Sequence, residues 1–185
     1  MFPIITVGID LDNTFWNLGE TALDILNNKY GHNIDFKTLY SYDVSMGHPD
    51  FRQEDMRQIY LEAALTCEPY RDAVRVVNRI RSIQDIRVYF VTSSTPQELK
   101  VKIPRLHKFI DHFRDDDIIV LHQKELLNVD YIIDDLYRNL CNPHLAHGFL
   151  YYQPYNFDSI PITNRRVDMV LNWNDIESEL IPLLT

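Results

Sequence analysis

Asp10 and Asp12 stand two residues apart at the end of the apolar, β-branched run Ile4-Ile5-Thr6-Val7-Gly8-Ile9. A run of this kind, closed by polar residues, reads as a buried parallel strand. Ligands in open α/β sheets gather at the carboxyl ends of strands, so the two carboxylates mark a candidate site. If the strand continues through them, period-two alternation turns both side chains to the same side. The pair then repels unless a divalent cation or a shared proton intervenes. The competing reading is a plain Asp/Asn-rich turn after a strand.

Three further sets of residues could join them. Thr92-Ser93 follows the run Ile86-Arg87-Val88-Tyr89-Phe90-Val91. Hydroxyls and free backbone N–H groups at a strand-to-helix junction make a phosphate cradle, although the same hydroxyls also serve as caps. Lys124 offers a cation. Asp134-Asp135 closes the run Val129-Asp130-Tyr131-Ile132-Ile133, a second acidic strand end suited to a hard metal ligand. One Asp of that pair, with Asp135 the candidate, is expected to cap a helix through Leu136 to Leu140.

The elements that must position these groups follow from periodicity. Leu18, Ala22, Leu23, Leu26 and Tyr30 recur at helical spacing, and Gly31 stands where a helix would stop. Asp35 caps a short turn over Phe36-Lys37-Thr38-Leu39-Tyr40, residues 41 to 52 read as loop, and Met56, Ile59, Tyr60 and Ala63 mark a second helix. A block of about 50 residues without a strand is several times what one crossover needs, so 17–68 reads as an inserted helical cap and 1–16 with 69–185 as the core. Pro69 is expected to open the next helix, with Ala73, Val76, Val77, Ile80 and Ile83 inward and Arg71, Arg75, Arg79 and Arg81 on a solvated face. Thr95-Pro96-Gln97-Glu98 is a capping box with proline at the first helical position, and Pro104 is expected to break or kink that helix near Arg105. Asp115-Asp116-Asp117 reads as a solvated turn before a strand over residues 118–121. Further strands are expected at Phe149–Tyr152 and Val167–Leu171. Asn174 or Asp175 is expected to cap a last helix that turns Ile176, Leu180, Leu183 and Leu184 inward.

The 185 residues, 45% hydrophobic and 24% charged, suffice for one core and a small accessory unit. A net charge of −9 argues against a nucleic acid polymer as partner, because phosphate neutralisation needs clustered Lys and Arg. A small phosphorylated ligand stays open, since one metal ion and a few cations can invert the local field. Cys67 and Cys141 form no motif, which suits a reducing compartment, and no apolar run or basic leader points to a membrane or to export. The expectation is a cytoplasmic protein. A homodimer stays open.

In chain order, Asp10-Leu11-Asp12-Asn13-Thr14, Thr92-Ser93, Lys124 and Asp134-Asp135 resemble the four motifs of the haloacid dehalogenase (HAD) phosphatases. Lys124 stands ten positions before Asp134, and Gln153-Pro154-Tyr155-Asn156 follows the next strand. With the tail Leu171-Asn172-Trp173-Asn174-Asp175-Ile176, this spacing is similar to the 5′(3′)-deoxyribonucleotidase family over nearly the whole chain. The sequence departs from that family at Asn13, where Gly is common, and at His122-Gln123, where an Arg is common. The resemblance implies an α/β fold: a HAD-like Rossmannoid parallel sheet with a small helical, C1-type cap after the first strand. It implies Asp10 as nucleophile, Asp12 as general acid and base, and Mg²⁺ on Asp10, the main chain of Asp12, and Asp134. Thr92, Ser93 and Lys124 would hold phosphate, with Thr14 and Asp135 supporting them. Trp16, Tyr40, Tyr42 and Arg138 are candidates for the base or sugar of a nucleotide substrate. Another HAD phosphatase, acting on a sugar phosphate or other metabolite, is the nearest alternative; a phosphoacceptor receiver domain is a distant one.

Overall fold

The computed structural model describes residues 4–142, 144–157 and 166–185. Six strands form one parallel sheet: β1 (Ile5–Asp10), β2 (Ile86–Thr92), β3 (Ile118–Val120), β4 (Tyr131–Asp134), β5 (His147–Tyr151) and β6 (Val167–Val170). Their spatial order is β3-β2-β1-β4-β5-β6. The chain therefore leaves β1 in one direction, returns from β3, and continues from β4 in the other. Strand order reverses between β1 and β4, the place where open α/β sheets bind ligands. The register pairs Ile9 with both Phe90 and Ile133. Asp10, one residue on, is thus level with Asp134.

Among the described residues five α-helices accompany the sheet: α1 (Leu18–Tyr30), α2 (Gln53–Thr66), α3 (Ala73–Arg81), α4 (Pro96–Phe109) and α5 (Trp173–Leu184). Buried Val7, Ile9, Val88, Phe90 and Phe149 of the sheet pack with Val76, Val77 and Ile80 of α3, Leu106 of α4 and Ile176 and Leu180 of α5. A second, smaller cluster joins Val91, Ile132 and Leu150 to Leu127, Leu140 and Leu145, which come from connections carrying 3₁₀ turns. Gly8 sits between the layers: a Cβ there would meet Leu127, Val91 and Ile132 at 3.3–3.5 Å. Residues 17–68 contain no strand; α1 packs on α2, and α2 packs on α4. Gly31 ends α1 in the left-handed region, at φ 71°. Among the described residues no helix is long and apolar enough to cross a membrane.

Several local expectations are corrected. Pro69 opens no helix; it bridges to Trp16, and α3 begins at Ala73 after Asp72, which is left-handed at φ 66°. Ile83 lies beyond the end of α3 and is half-buried. The α4 helix runs through Pro104 to Phe109: the proline lacks an N–H, but Leu106 and Phe109 beyond it are held by the core. Residues 44–47 of the expected loop form a 3₁₀ turn capped by Asp43. Asp117 is not solvated: it is buried and accepts from Arg81 at 3.0 Å and from the Arg114 N–H at 3.1 Å. Of the arginines on α3, Arg75 and Arg79 bind Glu177 of α5. Asn172 caps α5, accepting from the N–H groups of Asn174 and Asp175, and Leu183 is exposed.

Candidate active site

The strand β1 ends at Asp10, so the alternation expected to align Asp10 with Asp12 stops before Asp12 is reached. The two carboxylates part. Asp10 is buried and takes a hydrogen bond from the Thr14 hydroxyl at 3.1 Å and another from the Lys124 ammonium. Lys124, itself buried, also donates to Asp134 Oδ2 at 3.0 Å. Asp12 instead receives Lys102 Nζ on both oxygens, at 2.6 and 2.7 Å. Lys102 is 1% exposed and donates to Ser94 Oγ at 2.6 Å as well. Lys102 is a site residue that motif reading misses. Its signal is positional, a lysine one helical turn before buried Leu106, on the inward stripe of α4.

Carboxylate oxygens of Asp10, Asp134 and Asp135 come within 4.8 Å of one another, all three residues buried. Burial, then Asp134, Asp135 and Asp12, push the Asp10 carboxyl well above the ordinary range despite the opposing charge of Lys124. Burial and Asp134 push Asp135 up to about 7, against the hydrogen bond from Tyr155. Burial works against the charge on Lys124, but Asp10 and Asp134 outweigh it and raise its pKa. Asp135 thus stands among the carboxylates, while the Asp12 side chain stands outside them. The turn after β4 is capped by Asp134, whose Oδ1 accepts from Leu136 N–H and Asn139 Nδ2, both at 2.8 Å.

The loop after Asp10 is held from three sides. Asn13 adopts φ 62°, and its side-chain oxygen accepts the Gly19 N–H at 2.6 Å, fastening the loop to α1. Gln153 Nε2 donates to the Asn13 carbonyl at 2.5 Å, and Trp173 Nε1 donates to that of Thr14 at 3.1 Å. Tyr155 gives its hydroxyl proton to Asp135 and accepts from Asn13 Nδ2 at 3.0 Å, and Asn156 Nδ2 donates to the Asp135 carbonyl at 2.8 Å. The Gln-Pro-Tyr-Asn stretch and the tail tryptophan therefore buttress the acidic loops.

A cavity of about 130 Å³ is lined by Asp10, Asp12, Ser93, Lys124, Asp135 and Arg138, among others. It shares Asp12, Asn13, Tyr42 and Ser93 with a cleft of about 310 Å³ walled by Leu18, Met56 and Tyr60 and by polar Asp43 and Gln53. Thr92 is buried at the end of β2 with its hydroxyl 2.6 Å from that of Ser94, and Ser93 is exposed beside it. Tyr42 is half-exposed, and the Arg138 guanidinium lies 5.6 Å from its ring centre. Two candidates fall elsewhere. Trp16 is 1% exposed, packed edge-on against Phe15 and Phe109 with Arg105 over its ring, because the loop turns it into the core. Tyr40 is exposed, donates to the Met46 carbonyl and lines neither cavity.

The family described as 5′ nucleotidase, deoxy (pyrimidine), cytosolic type C protein matches residues 3–184. No curated protein matches the chain. Among solved structures it is similar to a haloacid dehalogenase-like family hydrolase from Xanthomonas campestris, at 15% identity and TM-score 0.57 over 98% of this chain and 96% of that one. A HAD family hydrolase from Deinococcus radiodurans, solved with bound phosphate and sodium, is similar at 14% identity and TM-score 0.57, over 99% and 98%. A conserved haloacid dehalogenase-like protein from Agrobacterium tumefaciens reaches TM-score 0.61 at 8% identity, over 97% and 99%. At such identities the likeness is one of fold, and it is the HAD-like α/β fold.

Proposed function

The chain belongs to the cytosolic type C 5′-nucleotidase family of phosphoric monoester hydrolases, and we propose that it hydrolyses (deoxy)nucleoside monophosphates, with Mg²⁺, through an aspartyl-phosphate. The observation that carries this reading is the convergence of Asp10 with Lys124 and Asp134, which lie 114 and more residues further along the chain, onto one buried point. Asp10 attacks phosphorus, and the bond to the ribose oxygen breaks as Asp12 delivers a proton to that oxygen. Asp12, now a carboxylate, takes a proton from water; the water oxygen bonds to phosphorus, freeing Asp10 and inorganic phosphate. Lys102, anchored to Ser94, fixes where the Asp12 carboxylate stands. Thr92, the Ser93 main chain and Lys124 hold phosphate oxygens and offset charge in the transition state.

The donor set suits a hard divalent cation. Asp10, Asp134 and Asp135 gather three buried carboxylates, all oxygen donors, and Lys124 is paired with the first two. Asp10, Asp134 and the main-chain carbonyl of Asp12 would hold the ion, with Asp135 supporting them. Bound there, Mg²⁺ supplies neutralising charge at the transferred phosphoryl group. Residues 17–68 serve as a cap over the core formed by 1–16 and 69–185. The larger cleft between them, apolar on Met56 and Tyr60 and polar on Asp43 and Gln53, has the character of a small-molecule site and takes the nucleoside. Tyr42 and Arg138 are the side chains placed to meet the base or sugar.

The test is phosphate release from p-nitrophenyl phosphate, sugar phosphates and a nucleotide panel, in EDTA and in Mg²⁺. Nucleoside monophosphates should give the highest kcat/KM, EDTA should silence the reaction, and Asp10→Asn should abolish it without unfolding the chain. Turnover in rigorously metal-free buffer, or a preference for sugar phosphates, would overturn the proposal.

A further inference from the structure

A second cluster of metal-ligating side chains lines neither cavity at Asp10 and Asp12. His32 follows Gly31, whose left-handed conformation ends α1; His48 and Asp50 lie in the loop between the 3₁₀ turn Val44–Gly47 and α2. The two imidazole rings stand 4.0 Å apart between centres. His32 Nε2 is 3.1 Å from Asp50 Oδ2, and His48 Nδ1 is 3.5 Å from the same oxygen. One donor atom from each residue lies within 4.8 Å of the other two. Donors around a tetrahedral Zn²⁺, at bond lengths of about 2.0–2.2 Å, are about 3.3 Å from one another. The two measured separations bracket that value.

We propose that His32, His48 and Asp50 form a binding site for Zn²⁺ or a similar borderline transition-metal ion, with water completing the tetrahedron. Two imidazoles and one carboxylate favour such ions over Mg²⁺ and Ca²⁺, which prefer oxygen alone. The donor set thus differs in kind from the all-carboxylate cluster at Asp10. Phe51 packs 5.8 Å from both histidine rings and restrains them. The Asp50 backbone N–H donates to His48 Nδ1 at 3.2 Å, so that nitrogen is unprotonated and its lone pair lies on the side of Asp50. Binding transfers that lone pair from the N–H to the metal, and the proton between His32 Nε2 and Asp50 Oδ2 leaves to solvent as both atoms become ligands. The side chains are 24%, 34% and 61% exposed, in the order His32, His48, Asp50, so an ion reaches them from solvent. Because the ligands come from the end of α1 and from the loop that leads into α2, the bound ion clips the two helices of the 17–68 unit together.

The experiment is calorimetric titration of Zn²⁺ into the untagged full chain in excess Mg²⁺, with Co²⁺ absorption as a report on tetrahedral coordination. Wild type and Asp10→Asn should each bind one Zn²⁺ with the same affinity. His32→Ala, His48→Ala and the isosteric Asp50→Asn should each bind at least about tenfold more weakly and lose the tetrahedral Co²⁺ spectrum. Their metal-free melting midpoints should match wild type, and saturating Zn²⁺ should raise the midpoints of wild type and Asp10→Asn, by roughly 5–10 °C, but not theirs. The site is refuted if the His32→Ala/His48→Ala double variant binds Zn²⁺ as wild type does. It is equally refuted if Asp10→Asn is the variant that loses Zn²⁺.

Discussion

Each carboxylate of the Asp10–Asp12 pair meets its own ammonium group, Lys124 for the first and Lys102 for the second. The first arrangement gathers buried charge at the end of β1; the second fixes the Asp12 carboxylate, the proton donor of the proposed mechanism. Lys102→Met keeps the volume of the stem and removes the anchor of Asp12. A misplacement of about 1 Å at a reacting group costs up to about 10²-fold in rate. Lys102→Met should therefore lower kcat by roughly 10- to 100-fold while leaving KM for the same substrate nearly unchanged, and an unaltered kcat would remove Lys102 from the mechanism. Trp16 and Tyr42 separate along a different line. Trp16→Ala empties a core site and should destabilise the fold by about 3–5 kcal/mol, read in denaturant unfolding. Tyr42→Ala touches no core. If the base stacks on this ring, an interaction of about 1–3 kcal/mol is lost, so kcat/KM should fall roughly 5- to 150-fold for nucleotides and hardly at all for p-nitrophenyl phosphate. Equal losses on both substrates would deny Tyr42 a part in base recognition.

At the level of elements, the sheet and both acidic strand ends were legible because β1, β2 and β4 are apolar runs that stop in chemistry-bearing residues. The capping box at Thr95 was legible because it is a local hydrogen-bond pattern with a fixed spacing. What escaped depends on partners far away in sequence. Arg75 and Arg79 look like a solvated face until Glu177, about 100 residues on, is brought beside them. Lys102 looks like one more helix lysine until Asp12 arrives. Trp16 looks like a cap aromatic because nothing local says that the loop turns inward. The same loop explains Gly19, the second residue of α1. A Cβ at this position would lie 2.7 Å from Asn13 Oδ1, the atom that accepts the Gly19 N–H. Gly19→Ala must therefore displace the Asn13 side chain, which ties the Asp12–Thr14 loop to α1 and to Tyr155. Overpacking of this kind costs about 1–3 kcal/mol, and kcat should drop along with stability. Wild-type kcat in Gly19→Ala would show that the loop yields without moving Asp10 or Asp12.

Over the whole molecule, a chain of net charge −9 has folded with Asp10, Asp134 and Asp135 buried together against one lysine. Burial and the neighbouring carboxylates raise the Asp10 and Asp135 carboxyls, the latter to about 7 from an ordinary 3.8. In the metal-free protein the folded state thus keeps protons that the unfolded chain has already released. Stability changes with pH in proportion to protons bound unfolded minus folded, a negative quantity here. The contribution of Asp135 is fully present below the unfolded value and is lost as pH climbs from about 4 to about 7, and that of Asp10 falls in the same direction. Under the proposed function a divalent cation takes the place of those protons. It binds best where they have left, so its stabilising effect should grow over the same interval in which the metal-free fold weakens. At a free concentration about 100 times its Kd, Mg²⁺ should add about 2.7 kcal/mol, a rise in melting midpoint of roughly 5–10 °C for a chain of this size. Thermal melts in EDTA and in Mg²⁺ across this range should show that rise near pH 8 and little of it near pH 5, where protons hold the site. The double variant Asp10→Asn/Asp134→Asn removes two of the three charges, so its melting should depend less on pH in EDTA and respond to Mg²⁺ at neither end. An Mg²⁺ effect of the same size at both ends, or one that persists in the double variant, would place the ion somewhere other than the carboxylates at the ends of β1 and β4.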